Sequence, residues 1–409
     1  MKEKEREIRR YLLFLIVMAG VMFLTYFEGG MNEQNTTALA LSYRYGLIPR
    51  GLVGTGVSVL AHLGIHLYSY RGALMLSAAV TLCFFVVLFT FYYVCLKHCS
   101  KENLPYAQIG ILFLSVFIFP EYATVNNFGR LDEYLMILTL SCLILLVEKK
   151  AQWLVVPLCL AAGLVHIGFV FTNLSVVLVI LWVRMWEEQG KMRRYYGILL
   201  AVVLCLEAGL FLYFEVLRQP ISMDAYQQIV DKANGLSEKG AIEKDAYSLL
   251  KSELLGEDVF ADEWVWHTKN YAETPIFLLL FLLYIIIFVF FFRRLFHKAA
   301  NAIERWKYAA VALGIATILP ELVLKVDYGR WMFCIIAYYC LVILCLLAND
   351  DRKITETLRE TVASIRGRIP FAWILLLYPM LFVPFRDVYI SDVTTWLMDH
   401  VEAPLLGLW

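Results

Sequence analysis

Residues Gln152–Trp186 read QWLVVPLCLAAGLVHIGFVFTNLSVVLVILWVRMW, an almost unbroken apolar run. As one helix it would be roughly 50 Å long, against a bilayer hydrocarbon core of about 30 Å. Both flanks are basic, with Lys149-Lys150 before it and Lys191, Arg193 and Arg194 after it. Basic loops stay on the cytoplasmic side, so both ends belong there. The run is therefore two spans joined by a tight outer turn at His166-Ile167-Gly168. That reading sets the fold class: an all-α, polytopic integral membrane protein.

Composition agrees. The 409 residues are 61% hydrophobic and only 18% charged, with a mean hydropathy of +0.67, far from soluble usage. Lysine plus arginine equal aspartate plus glutamate at 36 each, so net charge points to no nucleic-acid partner. The nine cysteines fall in apolar spans or at the cytoplasmic face, which predicts no disulfides. Cys95, His98 and Cys99 cluster at a span end and read as a helix terminus before a metal site.

Working outward, the same rule orients the chain. Met1–Arg10, MKEKEREIRR, carries five basic residues and starts in the cytoplasm, so the span Tyr11–Phe27 exits. It is too long for a cleavable signal and no small-residue cleavage site follows. Ala73–Leu96 re-enters before Lys97, His98 and Lys101. Everything between, residues 28–72, is then one outer loop, and its apolar part Leu52–Leu67 reads as a helix on the outer interface. Tyr106–Phe119 and Tyr134–Val147 follow, then the hairpin, then Tyr195–Leu217. Residues 218–274 form an acidic outer segment with helical spacing in Asp224–Ala233 and Ile242–Leu255. Pro275–Phe292, Tyr308–Val326, Trp331–Leu347 and Phe371–Phe385 complete about 11 spans. Asp350–Arg368 reads as a charged cytoplasmic linker and Arg386–Trp409 as an outer tail. The expected division is a membrane region 1–217, the extracytoplasmic segment 218–274 and a second membrane region 275–409. The predicted location is a bacterial cytoplasmic membrane, with the N-terminus cytoplasmic and the C-terminus extracytoplasmic.

A few basic residues break the rule by lying in short outer segments: Arg44, Arg50, Arg71, Arg130, Lys325, Arg330 and Arg386. Arg44 and Arg50 stand in SYRYGLIPRGLVGTG (Ser42–Gly56), Arg130 in EYATVNNFGRLDE (Glu121–Glu133), and Lys325 and Arg330 in ELVLKVDYGRW (Glu321–Trp331). A guanidinium at a lipid boundary needs an anion or carbonyls, and its planar fork suits phosphate or carboxylate. Topology puts these segments and His166 on one face. Arg44, Arg50, Arg130, Arg330 and Lys325 are therefore the candidate substrate-binding residues. Asp132, His166, Asp327 and Glu28 are the candidate catalytic groups, able to take a proton from an acceptor hydroxyl. The competing reading is that Arg130–Asp132 and Asp327–Arg330 are local ion pairs at helix ends, and His166 a packing residue. Carboxylates also suit Mg²⁺ or Mn²⁺, though no motif demands either ion.

This chemistry suits glycosyl transfer from a polyprenyl-phosphate carrier, with arginines stabilising charge on the leaving phosphate. The organisation resembles bacterial polysaccharide polymerases of the O-antigen polymerase type and, more loosely, multi-span GT-C glycosyltransferases. The resemblance is carried by about eleven spans, one long outer segment late in the chain and arginines in outer loops. It implies an acidic catalytic residue in the first outer loop, at Glu28 or Glu33. Glu28-Gly29-Gly30 stands where that superfamily has paired acids, which favours the arginine-rich polymerase type. The partners implied are a lipid-linked glycan, membrane lipids and polysaccharide-assembly proteins. Three other classes compete. A secondary transporter or flippase for an anionic or lipid-linked substrate would use Glu207, midway along a span. A membrane acyltransferase would rest on His166, and a non-catalytic export partner would need neither.

Overall fold

The computed structural model describes residues 2–27, 29–124, 127–256, 273–324 and 328–366. Among them all regular structure is helical. The helices are α1 (Lys2–Tyr26), α2 (Glu33–Thr37), α3 (Gly51–His62), α4 (Tyr70–His98), α5 (Leu104–Glu121) and α6 (Leu131–Glu148). After them come α7 (Val155–Val165), α8 (Phe169–Thr172), α9 (Leu174–Glu187), α10 (Gly190–Leu212), α11 (Met223–Leu236) and α12 (Lys244–Leu255). The last are α13 (Glu273–Lys298), α14 (Ala302–Leu313), α15 (Leu319–Leu324), α16 (Tyr328–Ala348) and α17 (Arg352–Arg366). Among the described residues, α1, α4, α5, α10 with its terminal π turn, and α16 are long and apolar enough to cross a bilayer. The chain is a helical membrane protein.

A helix apolar all round lies either in lipid or inside a bundle. Burial separates the two cases here. The apolar window of α16 is 89% buried and forms the central post, against 22% for α1 and 28% for α4 at the rim. Around α16 pack α4, α5 and α9, with α6 and α7 behind α4 and α10 against α7 and α9. Phe84, Phe91, Phe117, Phe119 and Tyr338 fill the interior.

The basic clusters meet at one end. Lys4 Nζ donates to the Lys97 carbonyl at 2.8 Å, and Lys97 and His98 contact Glu148 at 3.0 and 3.2 Å. Lys149 pairs with Glu188 at 3.2 Å. Lys307 lies between Glu187 at 2.5 Å and Asp351 at 2.6 Å. Inside this end, buried Arg184 donates to the Leu146 carbonyl at 3.2 Å and to Asn349. A cation at the last carbonyls of α6 complements that helix dipole, and the Asn349 side chain links it to the end of α16.

The long run that opened the reading breaks where expected, with α7 ending at Val165, a turn at 166–168 and α8–α9 beyond. Two stretches differ from the sequence reading. Tyr308–Val326 is not one helix: α14 stops at Leu313, residues 314–317 form a 3₁₀ turn, and α15 resumes at Leu319. The cause is Tyr338, whose hydroxyl donates to the Val311 carbonyl at 2.9 Å. That hydroxyl lies 1.9 Å from where a Gly314 Cβ would be, so only glycine lets it in. Asp350–Arg368 is also no linker, since residues 352–366 form α17. Asp351 Oδ1 accepts from the Lys353 and Ile354 amides at 3.1 Å, an N-cap contributing about 1 kcal/mol. Ile354, Thr357 and Thr361 are its buried face.

At the end opposite the lysines sits a second core. Leu39, Leu41, Ile48 and Val57 of the first loop pack with Ile229, Leu236, Leu250 and Leu254 of α11–α12. The apolar stretch expected at Leu52–Leu67 is α3, ending at His62. Twelve residues give about 18 Å of helix, too short to span. The first loop and residues 218–256 thus share one interior and form a cap over the bundle. Residues 257–272 of the acidic segment, Phe371–Phe385 and the tail 386–409 lie outside the described residues.

Candidate functional site

The first loop is held against the hairpin turn by Tyr43. Its amide donates to Thr55 Oγ1 at 2.8 Å and its hydroxyl to the Leu164 carbonyl at 3.2 Å. Pro49 then leads into Arg50, the N-cap of α3, with φ +60°. A left-handed conformation costs a non-glycine residue on the order of 1–2 kcal/mol. Such strain persists only where the surroundings impose it, commonly at a functional site. Here it aims the Arg50 guanidinium at Glu253 of α12, with Nη2 2.7 Å from Oε1.

The second loop supplies a chain of polar contacts. Asn127 Nδ2 donates to buried Glu121 at 3.3 Å, and Arg130 Nη1 donates to Asn127 Oδ1 at 3.0 Å. Arg130 Nε is 3.0 Å from Asp132 Oδ2. Gly129 makes this turn with φ +76°, and a Cβ there would lie 2.4 Å from Met31 Cε and Ser77 Oγ. Asp132 occupies the first turn of α6, where the helix dipole favours a carboxylate. Arg330, in the first turn of α16, approaches the same Oδ2 to 3.7 Å and lies 4.2 Å over the Trp331 ring. Two guanidiniums from distant helices thus flank one carboxylate.

His166 closes the cleft from the turn between α7 and α8. Its Nδ1 accepts the Gly168 amide hydrogen at 2.7 Å, which assigns the ring proton to Nε2. Burial, and then the Arg50 guanidinium, hold its pKa well below the usual histidine value, with Arg330 and Arg130 adding to this and Asp132 opposing. The imidazole is therefore neutral near pH 7. Against its burial, the Arg330, Arg130 and Arg50 guanidiniums together hold the Asp132 carboxyl below the usual carboxylate value. Arg130, Asp132, Arg330, Glu121, Tyr122 and Asn173 line a cavity of about 10 Å³, the size of one water site.

Five of the residues singled out from sequence therefore share a site: Arg50, Arg130, Arg330, Asp132 and His166. Arg44 does not join them; it is exposed on the 3₁₀ turn 43–45. Glu28, Lys325 and Asp327 lie outside the described residues. Glu33 is engaged elsewhere, accepting from the Ser237 hydroxyl at 2.6 Å and from the Glu243 amide, so it ties α2 to the cap. Among the described residues no three His, Cys, Asp or Glu side chains converge as metal ligands. The cleft carboxylates face arginine or asparagine instead. Sequence reasoning missed Glu121 and Glu253. The first stood in a quoted loop, whereas nothing in α12 marks Glu253 apart from its neighbours.

The chain matches no protein-family model, no curated protein and no solved structure. Function therefore rests on the chemistry of the cleft.

Proposed function

We propose that the protein is a membrane glycosyltransferase or polysaccharide polymerase that uses a polyprenyl-phosphate-linked sugar. The observation that carries this is the convergence of Arg50, Arg130 and Arg330 around Asp132 at the end of the bundle remote from the lysine clusters. On this reading about eleven spans thread a bacterial cytoplasmic membrane, with the N-terminus cytoplasmic and the cleft facing outward. The arginines hold the phosphate and stabilise the charge it gains as the sugar–phosphate bond breaks. Asp132 keeps Arg130 and Arg330 aligned. His166 presents Nε2–H and donates to a phosphate oxygen. The acceptor proton passes to a carboxylate, for which Asp132, Glu28 and Asp327 are the candidates. Lipid-linked glycan, membrane lipids and polysaccharide-assembly proteins are the partners this implies.

A lipid carrier also needs somewhere to lay its chain. Between α1 and α4 runs an apolar groove of about 440 Å³, walled by Ile16, Gly20, Phe23, Phe85 and Phe89 and ending at Phe27 and Phe128. Phe128 belongs to the loop that carries Asn127 and Arg130, so groove and cleft share one short segment.

The test is lipid-linked glycan measured in membranes with and without the protein. Arg50→Ala and Arg330→Ala should each abolish product while the protein remains inserted; normal polymer length in both would sink the reading. A transporter or flippase is the second reading, favoured by Glu207. Its carboxylate is 1% exposed, lies beside Gly163, and takes no hydrogen bond among the described residues. Transport lost in Glu207→Gln with glycan synthesis intact would favour it.

A further inference from the structure

Glu253 reaches into the cleft from α12 of the cap. Its side chain holds Arg50 at 2.7 Å, and both groups are about one-fifth exposed. Its backbone carbonyl accepts from Arg218 Nη2, at the point where α10 hands over to the cap. The neighbouring amide of Ile221 donates to the Leu254 carbonyl at 3.1 Å. The entry and exit of the α11–α12 hairpin are therefore stitched together beside Arg50.

Arg218 is the second clue. Its Nε and Nη1 are buried and have no hydrogen-bond partner among the described residues. Buried donors left idle on a half-buried guanidinium are costly and uncommon in natural structures. Two arginines thus bracket one glutamate, Arg50 on its carboxylate and Arg218 on its main chain. Among the described residues, the cleft holds the guanidiniums of Arg50, Arg130 and Arg330 with the carboxylates of Asp132, Glu121 and Glu253, and Arg218 borders it through the Glu253 main chain. With the Glu253 side chain turned away, these guanidiniums outnumber the two remaining carboxylates among the described residues, a charge surplus that a dianion would match.

We propose that Glu253 is an internal counter-anion that competes with the ligand for Arg50, and that the cleft selects a diphosphate-bearing lipid over a monophosphate. The inference rests on the anionic-headgroup reading above and extends it. A single phosphate held between Arg130 and Arg330 leaves the Arg50–Glu253 pair intact. A second phosphate takes the place of the Glu253 carboxylate on Arg50 and engages the idle donors of Arg218. Glu253 thereby sets a threshold: weakly anionic headgroups do not displace it, and bidentate phosphate oxygens do.

The experiment uses the full chain, purified in detergent, with farnesyl diphosphate and farnesyl monophosphate as probes in titration calorimetry. Glu253→Gln keeps the shape and removes the competing charge. It should tighten diphosphate binding about tenfold, or 1.4 kcal/mol, and monophosphate binding much less. In an Arg50→Ala background the same substitution should change nothing. Should Glu253→Gln fail to fold, Glu253→Asp, one methylene shorter, is expected to show the same selective gain. Equal or weaker diphosphate binding in these variants, or an undiminished gain without Arg50, overturns the competition. If the wild-type chain and the variants alike bind neither probe, the anionic-headgroup reading falls with it. Binding unchanged by Glu253 leaves that reading standing alone.

Discussion

Asp132→Asn, set beside Arg330→Ala, separates a catalytic cleft from a mere fastener. Asp132 Oδ2 is 3.0 Å from Arg130 and 3.7 Å from Arg330. At an effective dielectric of about 20 these contacts correspond to roughly 5.5 and 4.5 kcal/mol of gross attraction. Desolvation offsets most of that, and removing one partner of a buried pair typically costs about 3–5 kcal/mol. All three side chains are 17–21% exposed, and asparagine can still accept from Arg130, so about 3 kcal/mol is expected for Asp132→Asn. Arg330→Ala gives up the longer contact, beyond hydrogen-bonding distance, and the stacking on Trp331, and should cost about 1–2 kcal/mol. Thermal midpoints in detergent should therefore fall more for Asp132→Asn than for Arg330→Ala. Glycan product should vanish in both, because Arg330 is asked to stabilise the leaving phosphate. If product instead tracks the thermal midpoint, so that Arg330→Ala keeps most of its activity, the arginines only clamp helix ends and the reasoning fails.

Three further outcomes follow from the geometry. His166 is neutral when folded, whereas its unfolded pKa is about 6.5. Below that value the unfolded chain binds the extra proton, so stability falls with pH down to the folded pKa, by up to about 1.4 kcal/mol per unit. His166→Asn should flatten the midpoint-versus-pH curve in that window, and an unchanged slope would contradict the buried neutral ring. Gly129→Ala meets both a positive φ and the Met31 and Ser77 side chains. It should cost at least about 2 kcal/mol, read as a lower thermal midpoint; an unshifted midpoint would mean the loop relaxes freely. At Gly20 a Cβ would meet nothing within 4 Å and points into the open groove, so Gly20→Phe should leave the midpoint nearly unchanged while filling the groove. Photo-crosslinking of a diazirine-tagged prenyl phosphate should then drop severalfold, and undiminished labelling would place the chain elsewhere.

Local patterns determined much of this protein. Apolar runs placed α4, α5, α6 and α16 to within a few residues, and the length of Gln152–Trp186 together with its basic flanks required the break at His166–Gly168. Both features depend on sequence neighbours alone, through helical rise against membrane thickness and through charge at helix ends. Sequence likewise put Arg50, Arg130, Arg330, Asp132 and His166 on a shared list, because arginines that depart from a charge rule are visible without a structure. It could not say which of them touch. Asp132 takes Arg330 from nearly two hundred residues away, Arg50 takes Glu253, and Arg44, equal to Arg50 on paper, faces outward. Pairing of that kind is set by which helices pack together and how they rotate, a global property of side-chain volumes. The same holds where Tyr338 breaks the stretch after Tyr308 by entering at Gly314, and where Asp351 caps a helix that composition alone renders as a charged linker. One-dimensional hydropathy decides how many apolar segments there are; only packing decides which carboxylate each guanidinium finds.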